Sequence, residues 1–177
     1  MPRKSKVQFN KEDTLKNIQG IIRHIRNVQD NGILLGERLI EAGEIILGKN
    51  LIANVFKHDN SKFYGIEWQE LAPRSGKLEG SDSTTRKLKL NLAVLNHVQV
   101  NLHHPEAWES IHHMPRLYLA EMACDVKSRS EEFATSLKDW IEDEATKKYN
   151  FSKSDKVYKD LMYFVDLLCE QPFAPAR

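Results

Sequence analysis

The chain of 177 residues has two cysteines, six prolines and eight glycines, and no apolar run near the roughly 20 residues that a membrane-spanning helix requires. Cys124 and Cys169 stand far apart in stretches of helical pattern, which excludes a disulfide framework and a cysteine-based metal site. They read as buried free thiols in a reducing compartment. The scarcity of glycine and proline leaves few breaks, and apolar residues recur at three- and four-residue steps rather than alternating, so the chain is predicted to be nearly all-α. A one-sided charge is also missing. Charged residues make up 29% of the chain but the net charge is only +1, which gives no electrostatic support for a nucleic-acid partner. The short basic arm Pro2-Arg3-Lys4-Ser5-Lys6 reads as a frayed terminus rather than a signal sequence. A soluble cytoplasmic protein without a membrane partner is expected.

The length suits a single domain, 1–177, with a core at about 13–128 and two C-terminal helices over 130–170. A first helix starts at Asp13 or Thr14, carries Leu15, Ile18, Ile21, Ile22, Ile25 and Val28, and is predicted to end at Asn31-Gly32. A second, Ile33 to Leu47, turns Leu35, Leu39, Ile40, Ile46 and Leu47 inward and stops at Gly48-Lys49-Asn50. A short helix from Leu51 to Lys57 then delivers His58 and Asp59. Residues 64–85 read as a polar loop, a lid or a disordered segment, with a helical turn at Glu67–Leu71. A helix from Arg86 bearing Leu88, Leu90, Leu92, Val94 and Leu95 breaks at His103-His104-Pro105, and Pro115 opens the next. Helices over Ser130–Tyr149 and Lys153–Glu170 complete about seven, and 171–177 reads as an unstructured tail. The mixed charges after Ser130, such as Lys138, Asp139, Glu142 and Lys148, suit a solvated face or a homodimer surface.

All seven histidines fall between His24 and His113. His58-Asp59 is an adjacent imidazole and carboxylate at a helix end, where both side chains can turn toward one ion. His24 on an earlier helix, Asp125 on a later one with Glu121 a turn before it, and His97, His103 and His104 between them supply the nitrogen and oxygen donors of a hard metal centre. Glu121 suits direct ligation or the orientation of a histidine equally well. Trp68 and Trp108 suit base stacking or core packing. His112 and His113 read as surface residues. Arg23, Lys57, Lys62 and Arg116 neighbour the cluster in sequence.

The series of a histidine, a His-Asp doublet and a distal aspartate resembles the HD superfamily of metal-dependent phosphohydrolases, which have an all-helical core. More narrowly, His58-Asp59-x-Ser-Lys-Phe, His97, Asn101-x-His-His, Trp108, Met114-Pro115 and Glu121-Met-x-x-Asp125 look like a family of small bacterial and phage proteins. The resemblance implies an HD-type bundle in which His24, His58, Asp59 and Asp125 hold a divalent ion (Mn, Mg, Co, Ni or Fe; one ion or two). It also implies that Lys62 contacts phosphate. Two-metal members carry a further histidine ahead of their His-His pair, and here residues 64–96 contain none. His97 is the only substitute, so His97, His103 and His104 are either ligands or groups that donate to phosphate or act as a general acid.

A His/Asp-held ion with open positions binds phosphate oxygens and acidifies water, so hydrolysis of a phosphate ester or anhydride of a nucleotide or similar small molecule is expected. Lys62, His97, His103, His104 and Glu121 are the candidate catalytic residues. Two alternatives stand beside this expectation: an HD-type di-iron oxygenase, and a non-catalytic module that binds a nucleotide or a protein.

Overall fold

The computed structural model describes residues 11–71 and 83–169, and among these every regular element is helical. α1 (Lys11–Glu41) and α2 (Ile45–Val55) form an antiparallel hairpin that packs on α5 (Arg116–Phe133) and α7 (Lys156–Cys169). A 3-10 turn at Asn60–Phe63 leads to the short α3 (Gly65–Glu70), which lies on α4 (Ser83–Val100). Two further 3-10 turns, Pro105–Ala107 and Ile111–His113, lead into α5. α6 spans 137–148, with a π-helical section at Trp140–Ala145. The all-α bundle of seven helices is as the composition and periodicity predicted.

The expected boundary at Asn31-Gly32 is absent, because α1 runs unbroken to Glu41 and the chain turns instead at Gly43, whose φ of 90° suits glycine. Gly48 likewise does not stop a helix but lies inside α2. The glycines that looked like punctuation form a close crossing of α1 and α2. A Cβ on Gly36 would stand 2.9 Å from the Gly48 carbonyl oxygen, one on Gly48 would meet the Gly36 carbonyl, and one on Gly32 would run into Val55. Val28, Leu35 and Leu39 of α1 can therefore bury fully against Leu51 and Val55. Each such side chain contributes about 1.5–3 kcal/mol relative to exposure.

α5 extends past the predicted break at Ser130 to Phe133 and ends on Ala134 in the left-handed region, with Ser136 capping α6 through its bond from the Asp139 amide. Ile46, expected to turn inward, is 72% exposed, and Leu15 and Phe133 are exposed too. Cys124 is buried, as read from the sequence, and burial pushes its thiol well above the ordinary range. Cys169 is exposed, contrary to expectation. α4 is not a core helix: Leu88, Leu92, Val94 and Leu95 face outward, and of its described side chains only Ala93 is buried. Of the mixed charges after Ser130, Lys148 pairs with Glu106 and Glu142 with Lys153, both within the chain. The expected lid falls partly, and the basic arm and the tail entirely, outside the described residues. No helix of the described residues is long and apolar enough to cross a membrane.

Candidate metal centre

α2 ends at Val55, and four residues later Asp59 adopts φ 53° and ψ 18°, a left-handed conformation that aspartate tolerates better than most residues. This twist lets neighbouring side chains, which cannot share a helical face, enter one buried space. His58 and Asp59 are each 2% exposed there. α1 supplies His24 and α5 supplies Glu121 and Asp125 one turn apart. The turn after α4 supplies His103 and His104, anchored by Asn101, whose side-chain amide donates to the His97 carbonyl and to Ser61 Oγ, each at 2.8 Å. All the sequence-predicted ligands thus reach one region, while His112 and His113 are exposed as expected.

Two groups share Asp59. On one side His58 Nε2 lies 3.5 Å from Asp59 Oδ2, His103 Nε2 lies 3.7 Å from both Asp59 Oδ1 and Asp125 Oδ2, and His24 Nε2 lies 3.0 Å from Asp125 Oδ1. On the other side His97 Nε2 lies 3.4 Å from Asp59 Oδ1 and 3.0 Å from His104 Nε2. Ligands about 2.0–2.1 Å from a tetrahedral ion stand roughly 3.3 Å from one another, so both sets have the spacing of a coordination shell. The His-His doublet divides, His103 joining the first group and His104 the second.

Carboxylates behind the rings fix their orientation. Glu121 accepts from His58 Nδ1 at 3.0 Å and from the Asn54 amide, and lies 3.4 Å from His103 Nδ1. Glu132 holds His24 Nδ1 at 3.1 Å, and Glu67 holds His97 Nδ1 at 2.8 Å. Glu121 therefore stands on the Nδ1 side of two imidazoles, and with His58 and His103 it is also spaced to hold an ion, which suits either of its two predicted roles. Among the described residues three buried atoms facing the centre, His58 Nε2, His103 Nε2 and Asp59 Oδ1, have no hydrogen-bond partner, and Asp125 Oδ1 meets the His24 ring at 3.0 Å. Two imidazole nitrogens and a carboxylate oxygen left unpaired beside Asp125 in one buried space are a donor set that a divalent ion takes.

Burial raises the Asp59 carboxyl, but His58, Lys62, His97 and His103 around it outweigh that and hold it far below the usual carboxylate range. Asp125 is lowered in the same way, burial being overcome by His24, His58 and His103. Burial also lowers His97, and it lowers His104 to about 4 with help from the neighbouring His103 and His97. Ionised Asp59 and Asp125 carboxylates and neutral His97 and His104 rings are protonation states that ligation requires. Lys62 does not point away but pairs with Asp59 Oδ2.

Trp108 packs against the core and donates to the Leu102 carbonyl, and Trp68 lies beside Phe63. Arg116 is committed elsewhere, clamped between Glu44 and Asp160. Glu67, Glu132 and Asn54 were missed by sequence reasoning. Glu132 was findable, since it lies two turns after Asp125 on one face of α5. Glu67, in a six-residue helix, left no periodic signal.

No curated protein and no solved structure matches the chain. Residues 13–169 match a family of unknown function, DUF5662. That span takes in every helix that supplies the centre, and the chain belongs to this family.

Proposed function

We propose that the protein is a metal-dependent phosphohydrolase of the HD type, acting on a nucleotide or similar small phosphate in the cytoplasm, where such substrates reside. The observation that carries the reading is the set of three unpaired buried atoms on His58, His103 and Asp59, with the His24–Asp125 pair beside them. His24, His58, Asp59, His103 and Asp125 fit a first divalent ion. Asp59, His97 and His104 fit a second, with Asp59 shared. Such ions, when bound, supply Lewis acidity toward phosphoryl oxygens and lower the pKa of water toward about 7.

The chain's own residues then determine approach and orientation. His24, His58, Asp59 and His103 are sealed inside, whereas Lys62, His97 and His104 are only partly covered, so a substrate reaches the centre from their side. Lys62 pairs with Asp59 and stands at that mouth, where an incoming phosphate can recruit its ammonium. Glu121 holds both His58 and His103 by Nδ1, which keeps their Nε2 atoms turned inward.

The test is phosphate release from a panel of nucleotides by protein stripped of metal and reloaded with Mn, Co, Ni or Mg. Asp59→Ala is expected to abolish both metal uptake and hydrolysis, and full retention of bound metal in that variant would sink the assignment. The imidazole pair on the second side also suits iron, which favours a di-iron oxygenase as the second reading. Two irons per chain with a visible absorption band and no phosphate release would select it.

A further inference from the structure

Glu67 has no place in the donor set, yet it is fully buried, and three side chains converge on it. His97 Nδ1 donates to its Oε2 at 2.8 Å, Ser61 Oγ donates to the same oxygen at 2.9 Å, and the Asn96 amide donates to Oε1 at 2.7 Å. A carboxylate taken out of water at this cost persists where its charge is used. Here it faces the ring whose other nitrogen reaches toward Asp59.

We propose that Glu67 is the positioning residue of the second ion: it orients His97 and strengthens it as a donor, so that the α4 ligand of the Asp59/His97/His104 site is set by the α3–α4 pair rather than by the bundle core. This rests on the two-ion reading given above. The two sides of the centre differ in how they are supported. His24, His58 and His103 are backed by Glu132 and Glu121 of α5, a helix packed into the core. His97 sits on α4, whose main packing partners are α3 and the 3-10 turns at Asn60–Phe63 and Pro105–Ala107, and whose Leu88, Leu92 and Leu95 are exposed. The Glu67 bonds, together with Asn101, which bridges His97 to Ser61, set the rotation of that helix at His97. His104 Nε2 contacts His97 Nε2 at 3.0 Å, so a His97 ring displaced by loss of Glu67 disturbs both nitrogen donors. The first site keeps all its own backing carboxylates.

The experiment titrates metal-free full-length protein with MnCl2. Bound metal is counted by elemental analysis, and electron paramagnetic resonance separates a spin-coupled Mn pair from an isolated six-line Mn ion. Wild type is expected to bind two ions and give the coupled signal. Glu67→Gln, which removes the charge at nearly constant volume, is expected to keep the first ion with unchanged affinity, bind the second about 10–100-fold more weakly and revert to the isolated signal. Retention of the first ion shows that the variant is folded. On a His97→Ala background the Glu67→Gln change is expected to have no further effect on metal binding, whereas a purely structural role for Glu67 would weaken the first site in both backgrounds. Glu67→Gln binding both ions as tightly as wild type overturns the proposal, and so does a wild type that binds one ion only, which leaves the hydrolase reading standing. A wild type that binds no ion overturns the metal centre itself.

Discussion

Glu67 accepts a hydrogen bond from His97 Nδ1 at 2.8 Å, which ties α3 to the α4 histidine whose other ring nitrogen lies 3.4 Å from Asp59 Oδ1. Residues 64–96 contain no histidine, but a carboxylate from that stretch fixes the ring of the histidine that follows it. His97 turns its Nε2 toward Asp59, and Glu67 sets the direction of that ring.

His103 and His104 are neighbours in sequence but stand on opposite sides of Asp59. His103→Ala is expected to weaken the first ion and His104→Ala the second, each by at least about tenfold, since a lost ligand costs no less than a lost orienting partner. Metal titration of the two variants checks this, and an identical binding profile for both would remove the division of the doublet.

A ligand that binds the folded chain alone stabilises it by mass action. Mn at a hundred times its dissociation constant is expected to add about 2.7 kcal/mol and to raise the melting temperature of wild type. Asp59→Ala, having lost the shared carboxylate, is expected to melt at the same temperature with and without Mn. Thermal denaturation with and without a chelator reads the difference.

Gly48→Ala raises intrinsic helix propensity by about 1 kcal/mol, yet is expected to destabilise the protein by about 1–3 kcal/mol net. The new methyl would meet the Gly36 carbonyl oxygen and stand 2.7 Å from Ile40 Cγ1, forcing α1 and α2 apart. Urea unfolding gives the number. A stabilised variant would show that the crossing has slack.

Arg116 holds the Glu44 carboxyl below its ordinary value by hydrogen bonding, which exceeds the opposing effect of burial. A depressed folded value means the contribution is fully present above the unfolded value of about 4.5 and is lost as the pH falls below it. Stability is therefore expected to fall less steeply between about pH 4.5 and 3 in Glu44→Gln than in wild type. The pair is partly exposed, so its whole effect should stay within about 1 kcal/mol. Urea midpoints across that range, at fixed ionic strength, decide the matter.

The sequence by itself determined the helical class, because the spacing of Ile18, Ile21, Ile22, Ile25 and Val28 is a local property that every fold must honour. It also brought out His24, His58, Asp59, His103, His104 and Asp125 as a donor set, through residue type and order. Boundaries were less legible. Gly32, Gly36 and Gly48 carry the same local signal whether they end a helix or admit a neighbouring one, and only the packing of α1 on α2 separates the two. Glu121 was legible one turn before Asp125, and Glu132 lies on the same face of α5. Glu67 looks like any surface glutamate in a chain of 29% charged residues, and what distinguishes it is burial against the imidazole of His97. Which nitrogen of each ring faces the centre is set by such a contact, since a hydrogen bond at Nδ1 leaves Nε2 as the donor.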